Sequence, residues 1–391
     1  MVNRRDFLVR SAVLAGTASF RPWPDALAAA QALPSLEGTL VINALGGISN
    51  PNLRTVGDTA AGLGPDPEAS ARALDPRALR DAVASGTTAL NVTLGYVSGP
   101  MEPFEYTVEQ IGVWEAIVRR HPELRKVWTA DDITAAQREG RVGIIFGFQN
   151  AAMVGERVER VDLFADLGVR IVQLTYNPRN QIGDGSMEVG NRGLTDFGRE
   201  VLARLHTNRL LVDLSHSGER TCLDAIAASP GPIAITHTGC RALTDLPRNK
   251  TDEELRRLAD KGGVAGIYFM PFLHPDGQAR AEDVVRHIEH AVDVCGEDHV
   301  GIGTDGGTTQ VDDMEAYRAV IREEIRQRAA AGIGATGESA DVVPMIPDLQ
   351  GPDQFRKLAA LLRGRGHPWS RIEKILGGNF NRLFREVWPT V

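Results

Sequence analysis

Cysteine is scarce in this chain, with only Cys222, Cys240 and Cys295 among 391 residues. The number is odd and no two are spaced as a metal-binding pair, so neither a disulfide framework nor a cysteine zinc site is indicated. One disulfide is compatible with the count, but buried, inert thiols are the simpler expectation. Basic runs are missing too, and the net charge of −8 argues against a nucleic-acid surface. No apolar run is long enough for a membrane span. Repeats, low-complexity tracts and polar linkers are likewise absent. What remains, 42% hydrophobic and 24% charged residues, is ordinary for a soluble globular enzyme, and 391 residues suffice for one large α/β domain or two smaller ones.

The N-terminus carries an address. "NRRDFLVRSAVLAGTASF" pairs Arg4 with Arg5, then places Phe7 and Leu8 before a modest apolar run. "ALAAAQA" follows, with small residues suited to cleavage near Ala28 or Ala30. This resembles a twin-arginine export signal, so residues 1–30 are expected to be a signal peptide and the mature protein periplasmic. That route carries folded proteins, often with a metal or cofactor already loaded.

Beyond it, short apolar runs alternate with helical stretches. The runs are 39–45, 88–94, 142–148, 169–175, 210–215, 232–237, 264–269 and 299–304. Runs apolar on both faces suit parallel strands covered by helices. Helical spacing predicts crossovers over 75–85, 106–121, 194–207, 219–228, 252–261 and 281–294, with Thr195 as an N-cap and Gly262 as a stop. Eight strands alternating with helices predict an α/β fold, a (β/α)8 TIM barrel over 38–391. The stretch 305–350 becomes a long excursion after the last strand, and 352–388 closes the chain as helices.

In such barrels chemistry sits at the C-terminal ends of the strands. The third run ends in Gln149 and Asn150, the fourth in Tyr176 and Asn177, the fifth and sixth in His216 and His237, the eighth in Asp305. Two imidazoles on adjacent strands suit zinc or a similar ion, and a nearby carboxylate can move a proton. Asp213, inside the fifth run, is placed to orient His216. The first run offers Asn43, Leu45 and Gly47, none of them a strong metal ligand.

Four stretches together carry a resemblance: "GLTDFGREVLARLHTNRLLVDLSHSGERT", "ITHTGCRALTDLPRNKTDEELRRLADKGGVAGIYFMPFL", "HVGIGTDGG" and "LGGNFNRLF". They resemble the membrane (renal) dipeptidase family of zinc metallopeptidases over residues 38 to 388. The resemblance implies an amidohydrolase-like barrel with a two-zinc centre that hydrolyses dipeptides. It implies that His216 and His237 ligate metal, that Asp305 is the acid/base, and that Arg248 in "LPRN", with Asn249 beside it, binds the substrate carboxylate. Relatives are often dimers, so a homodimer is an open expectation.

The departures matter as much. The His-x-Asp pair of the family falls on Leu45 and Gly47, its bridging glutamate on Gln149, and its substrate-contacting histidine on Tyr176. Two dications about 3.5 Å apart need a shared anionic oxygen, and an amide offers only a neutral carbonyl. The expectation is therefore an exported dipeptidase-like hydrolase acting on a dipeptide or related small amide, such as an acylated amino acid. Its metal site would hold at most one divalent ion, zinc or another, with Gln149 as a third ligand, or none. Tyr176 would bind substrate and donate to an oxyanion. The alternatives are a non-hydrolytic isomerase or tailoring enzyme of a peptide-derived metabolite, and an inactive ligand-binding homologue.

Overall fold

The computed structural model describes residues 33–54, 73–275 and 277–388; the expected signal peptide lies outside them. Nine parallel strands follow in chain order: β1 (Ile42–Gly46), β2 (Ala89–Thr93), β3 (Leu124–Lys126), β4 (Val142–Phe148), β5 (Val169–Gln173), β6 (Leu211–Asp213), β7 (Ala234–Thr238), β8 (Val264–Ile267) and β9 (Val300–Ile302). Eight of them run around a nearly closed barrel in the order β1-β2-β4-β5-β6-β7-β8-β9. These eight coincide with the eight apolar runs. β4 shows why the pattern was readable, since all seven of its residues are buried.

β3 is the addition. It pairs with the first half of β4, and β5 takes over the same edge at Phe146. The ring closes where β1 meets the chain leaving β9: Asp305 N–H donates to Leu45 C=O at 2.9 Å, and Gly47 N–H to Gly306 C=O at 3.2 Å. Asn43 clamps this seam, donating to Thr304 Oγ1 and accepting from Thr304 N–H, both at 2.8 Å.

Helices cover the outside. Each expected crossover is present, and two more appear, Ala130–Glu139 and Arg160–Asp166. The helix Asp196–Thr207 starts as its sequence dictates, with Thr195 Oγ1 accepting from Gly198 N–H. The segment after β9 contains the helix Met314–Ala330, and the chain closes with Gln354–Gly364, Trp369–Glu373 and Asn379–Val387. Among the described residues no helix is long and apolar enough to cross a membrane.

The closing helix plugs the base of the barrel. Phe380, Phe384 and Trp388 are buried in one apolar cluster with Ile42, Ala89, Ile145, Ile171, Leu211, Ala234 and Val264, one residue from each of seven strands. β9 contributes Gly301, and a Cβ there would lie 2.5 Å from the Phe380 ring. Glycine is required at that position because the ring occupies the space of a side chain. With the base sealed, the cavity lies at the opposite end of the strands, where the sequence places its polar residues.

The three cysteines are free thiols, Cys222 and Cys240 buried and Cys295 half-buried. Burial pushes all three thiols up, Cys295 to about 12, as suits inert packing residues.

Candidate active site

A cavity of about 480 Å³ opens at the C-terminal rim. Gln149 after β4, Tyr176 after β5, His216 after β6, Arg248 after β7 and Asp305 after β9 all line it. The barrel thus gathers onto one wall residues spread over 157 positions of sequence, from 149 to 305.

The two histidines are held in the same manner by different partners. His216 Nδ1 lies 2.7 Å from Asn177 Oδ1, while Asn177 Nδ2 donates to Ile333 C=O at 3.0 Å. The amide oxygen can only accept, so His216 carries its proton on Nδ1. His237 Nδ1 lies 2.9 Å from Thr236 Oγ1. With Asp213 ionised, that hydroxyl donates its one proton to Asp213 Oδ2 at 2.7 Å, and His237 Nδ1 is then the donor to it. Both rings therefore present an unprotonated Nε2, and both Nε2 atoms are buried with no hydrogen-bond partner. Burial, reinforced by the Arg248 guanidinium, holds both imidazoles well below their usual pKa and hence neutral.

Asp213 serves His237, not His216 as its place in the sequence suggested. Its carboxylate also accepts from Ser215 N–H, Ser215 Oγ and Thr236 N–H. The correction has a simple cause: β6 pairs with β7 at Asp213 and Ala234, which sets the carboxylate beside Thr236.

The spacing of the two rings bears on whether they could share a metal ion. Imidazoles sharing one tetrahedral ion at Zn–N of about 2.0–2.1 Å have ring centres about 5 Å apart. The His216 and His237 ring centres are 5.1 Å apart. That ring spacing is compatible with one shared ion, while among the described residues no group of three or more His, Cys, Asp or Glu side chains converges as a ligand set. Leu45 is buried, and Gly47 gives no side chain. Gln149 donates its amide nitrogen to Thr93 Oγ1 at 2.6 Å, which leaves its neutral carbonyl as the available donor atom.

Around the histidines, charge is arranged asymmetrically. Arg248 is 2% exposed, donates to Ser215 C=O, and stands 5.8 Å from the Tyr268 ring centre. Asp305 adopts a left-handed backbone at φ 57°, which aspartate tolerates better than most residues. Burial raises its carboxyl to about 6 against the opposing pull of Arg248 and Arg328. Tyr176 stacks on His216, with ring centres 4.2 Å apart, and its phenol lies within electrostatic reach of the Arg328 guanidinium.

Two expected site residues do not reach the cavity. His237 is fully buried behind the wall, with only its Nε2 unengaged. Asn249 is committed to the fold: its amide donates to Thr244 C=O and Phe272 C=O and accepts from Tyr268 Oη at 2.5 Å. It shapes the loop that carries Arg248 and offers nothing to a substrate. Sequence reasoning missed Arg328, which reads as one more charge on an exposed helix, "REEIRQRAA".

Comparison with known proteins gives this geometry its context. The profile of the family described as membrane dipeptidase, peptidase family M19, matches residues 76–330. An uncharacterized dipeptidase of Schizosaccharomyces pombe is 31% identical over 238 residues, a match that spans 57% of either chain. An amidohydrolase from Pseudomonas aeruginosa superposes with a TM-score of 0.72 at 29% identity, covering 90% of this chain and 97% of that one. A metallopeptidase from Rhodobacter sphaeroides, liganded with a phosphinate mimic of L-Ala-D-Ala, shares the fold at a TM-score of 0.67 and 20% identity, covering 90% of this chain and all of that one. The profile match, spanning most of the barrel that carries these rim residues, shows that the chain belongs to the membrane dipeptidase family.

Proposed function

We propose that this protein is an exported hydrolase of small amides bearing a free carboxylate, working with one divalent ion held by His216 and His237. The observation that carries the reading is the pair of neutral imidazoles with unpartnered Nε2 atoms, their ring centres 5.1 Å apart. Such an ion supplies Lewis-acid polarisation. The chain supplies the rest. Arg248, on the cavity wall with its guanidinium fork, holds the substrate carboxylate. Asp305, raised to about 6, takes a proton from the attacking water and returns it to the leaving nitrogen. Tyr176, stacked on His216, donates to the oxygen that gains charge.

Elemental analysis of the folded protein tests this. About one divalent ion per chain is expected in the wild type and almost none in His237→Ala, with the fold retained by circular dichroism. Equal metal content in both proteins removes the ligand assignment. A second reading, proton transfer without metal, draws on Asp305, whose carboxyl burial raises to about 6 in the same cavity. It predicts turnover that survives a chelator.

A further inference from the structure

The far wall of the cavity is built by the excursion after β9 and differs from the strand ends. Tyr317, Ile321 and Ile325 from the helix Met314–Ala330 line it, with Met345, Ile346 and Leu349 from the loop that follows. Three carboxylates line the cavity among the described residues: Asp305, Glu324 and Glu338. Glu324 is ion-paired with Arg54 at 3.2 Å. Glu338 is paired with Arg328 at 2.9 Å, with Nε and an Nη both donating. Asp305 stands under the influence of Arg248, at the end where a substrate carboxylate would sit.

A dipeptide brings two charges, a carboxylate and an α-ammonium. The inner end of the cavity suits the first. The second would have to leave water for a largely apolar wall whose acids are already neutralised by arginines and whose other polar side chains, Ser339 and Gln350 among them, carry no charge; an unpaired buried charge is costly. We propose that the cavity takes an N-blocked amino acid or peptide: a free carboxylate at the Arg248 end, and an uncharged apolar group where a dipeptide carries its ammonium. This rests on the proposed carboxylate role of Arg248. It explains why the cavity, within the ~300–1,000 Å³ range of small-molecule sites, has an extended apolar side.

Leucyl-alanine and N-isocaproyl-alanine differ only in the amino group, so they isolate this term. Calorimetric titration of the full mature chain, with zinc supplied and again after chelation, is expected to show the acylated compound binding at least about tenfold more tightly. Ile325→Asp, which sets a carboxylate on a half-buried part of the wall, is expected to narrow that ratio at least about tenfold or invert it. Equal or tighter binding of leucyl-alanine by the wild type overturns the proposal, as does no binding of either compound. Turnover is assayed separately: tight binding of the acylated compound without cleavage would remove the hydrolase reading and leave the ligand class standing.

Discussion

The base and the rim of this barrel are closed by opposite means. At the base, Phe380, Phe384 and Trp388 fill the space between strands with carbon, and β9 yields a glycine to make room. At the rim, closure is polar: Asn177, Thr236, Asp213 and Ser215 are spent on one another and on two imidazoles. Apolar packing is indifferent to direction and tolerates any filling of the right volume. A hydrogen-bonded rim fixes which atom of each ring is left over. The difference separates stability from chemistry within one chain, and mutation at either end should leave the other intact.

The largest effect is expected from Asp305→Asn. Removing a general acid/base costs about 10²–10⁴-fold in turnover, and the substitution keeps the shape of the side chain. The melting temperature should therefore stay within a few degrees of wild type by calorimetry, and unimpaired turnover would exclude Asp305 from proton transfer.

Phe380→Ala is its counterpart at the base. Truncating a fully buried phenylalanine costs about 3–5 kcal/mol of stability, measured by chemical denaturation. Metal content per folded chain should not change. A loss of metal in that variant would break the separation of base from rim.

The third prediction concerns pH and only the rim. His287, on the helix Ala281–Cys295, accepts from Cys240 N–H at 2.9 Å and donates to Leu273 C=O at 3.0 Å, tying together the loops after β7 and β8. Burial lowers it to about 4 from an ordinary 6.5. The unfolded chain thus binds the proton first as pH falls, so stability is lost between about pH 6.5 and 4. The loss approaches about 3 kcal/mol at the lower limit. Denaturation midpoints in this window should flatten in His287→Gln relative to wild type; parallel curves would show that His287 is not the group responsible.

How much of this was legible follows from which signals are local. Eight strands were readable because a doubly covered strand is a continuous apolar run, as in "VGIIFGF". β3, "LRK", was not: it has three residues, two of them charged, and its pairing depends on β4 being present. The helix Ala130–Glu139 carried a readable start in Thr129 and Asp132 and a stop in Gly140, yet sits where one crossover already seemed sufficient. The proline at the first turn of Pro103–Arg120 marks a start three residues earlier than apolar spacing alone suggests.

At the site, strand-end residues were legible because the barrel fixes where they point. Asn249 was overvalued because adjacency to Arg248 in sequence says nothing of which neighbour faces the cavity. Arg328 was invisible because its meaning comes from Tyr176, 152 positions away in the chain. Leu45 and Gly47, so bare of chemistry, act instead through their backbone groups, which join β1 to the chain leaving β9.

Asn177 has one more consequence. Its two amide atoms connect a backbone carbonyl of the excursion, Ile333, to the ring of His216. The excursion lines the far wall of the cavity, and this bond ties it to the strand ends. A substitute that returned no carbonyl to this point would leave the Asn177 side chain held only by Ser186 Oγ and His216. The far wall of the cavity and the orientation of the His216 ring are thus coupled mechanically through a single carboxamide.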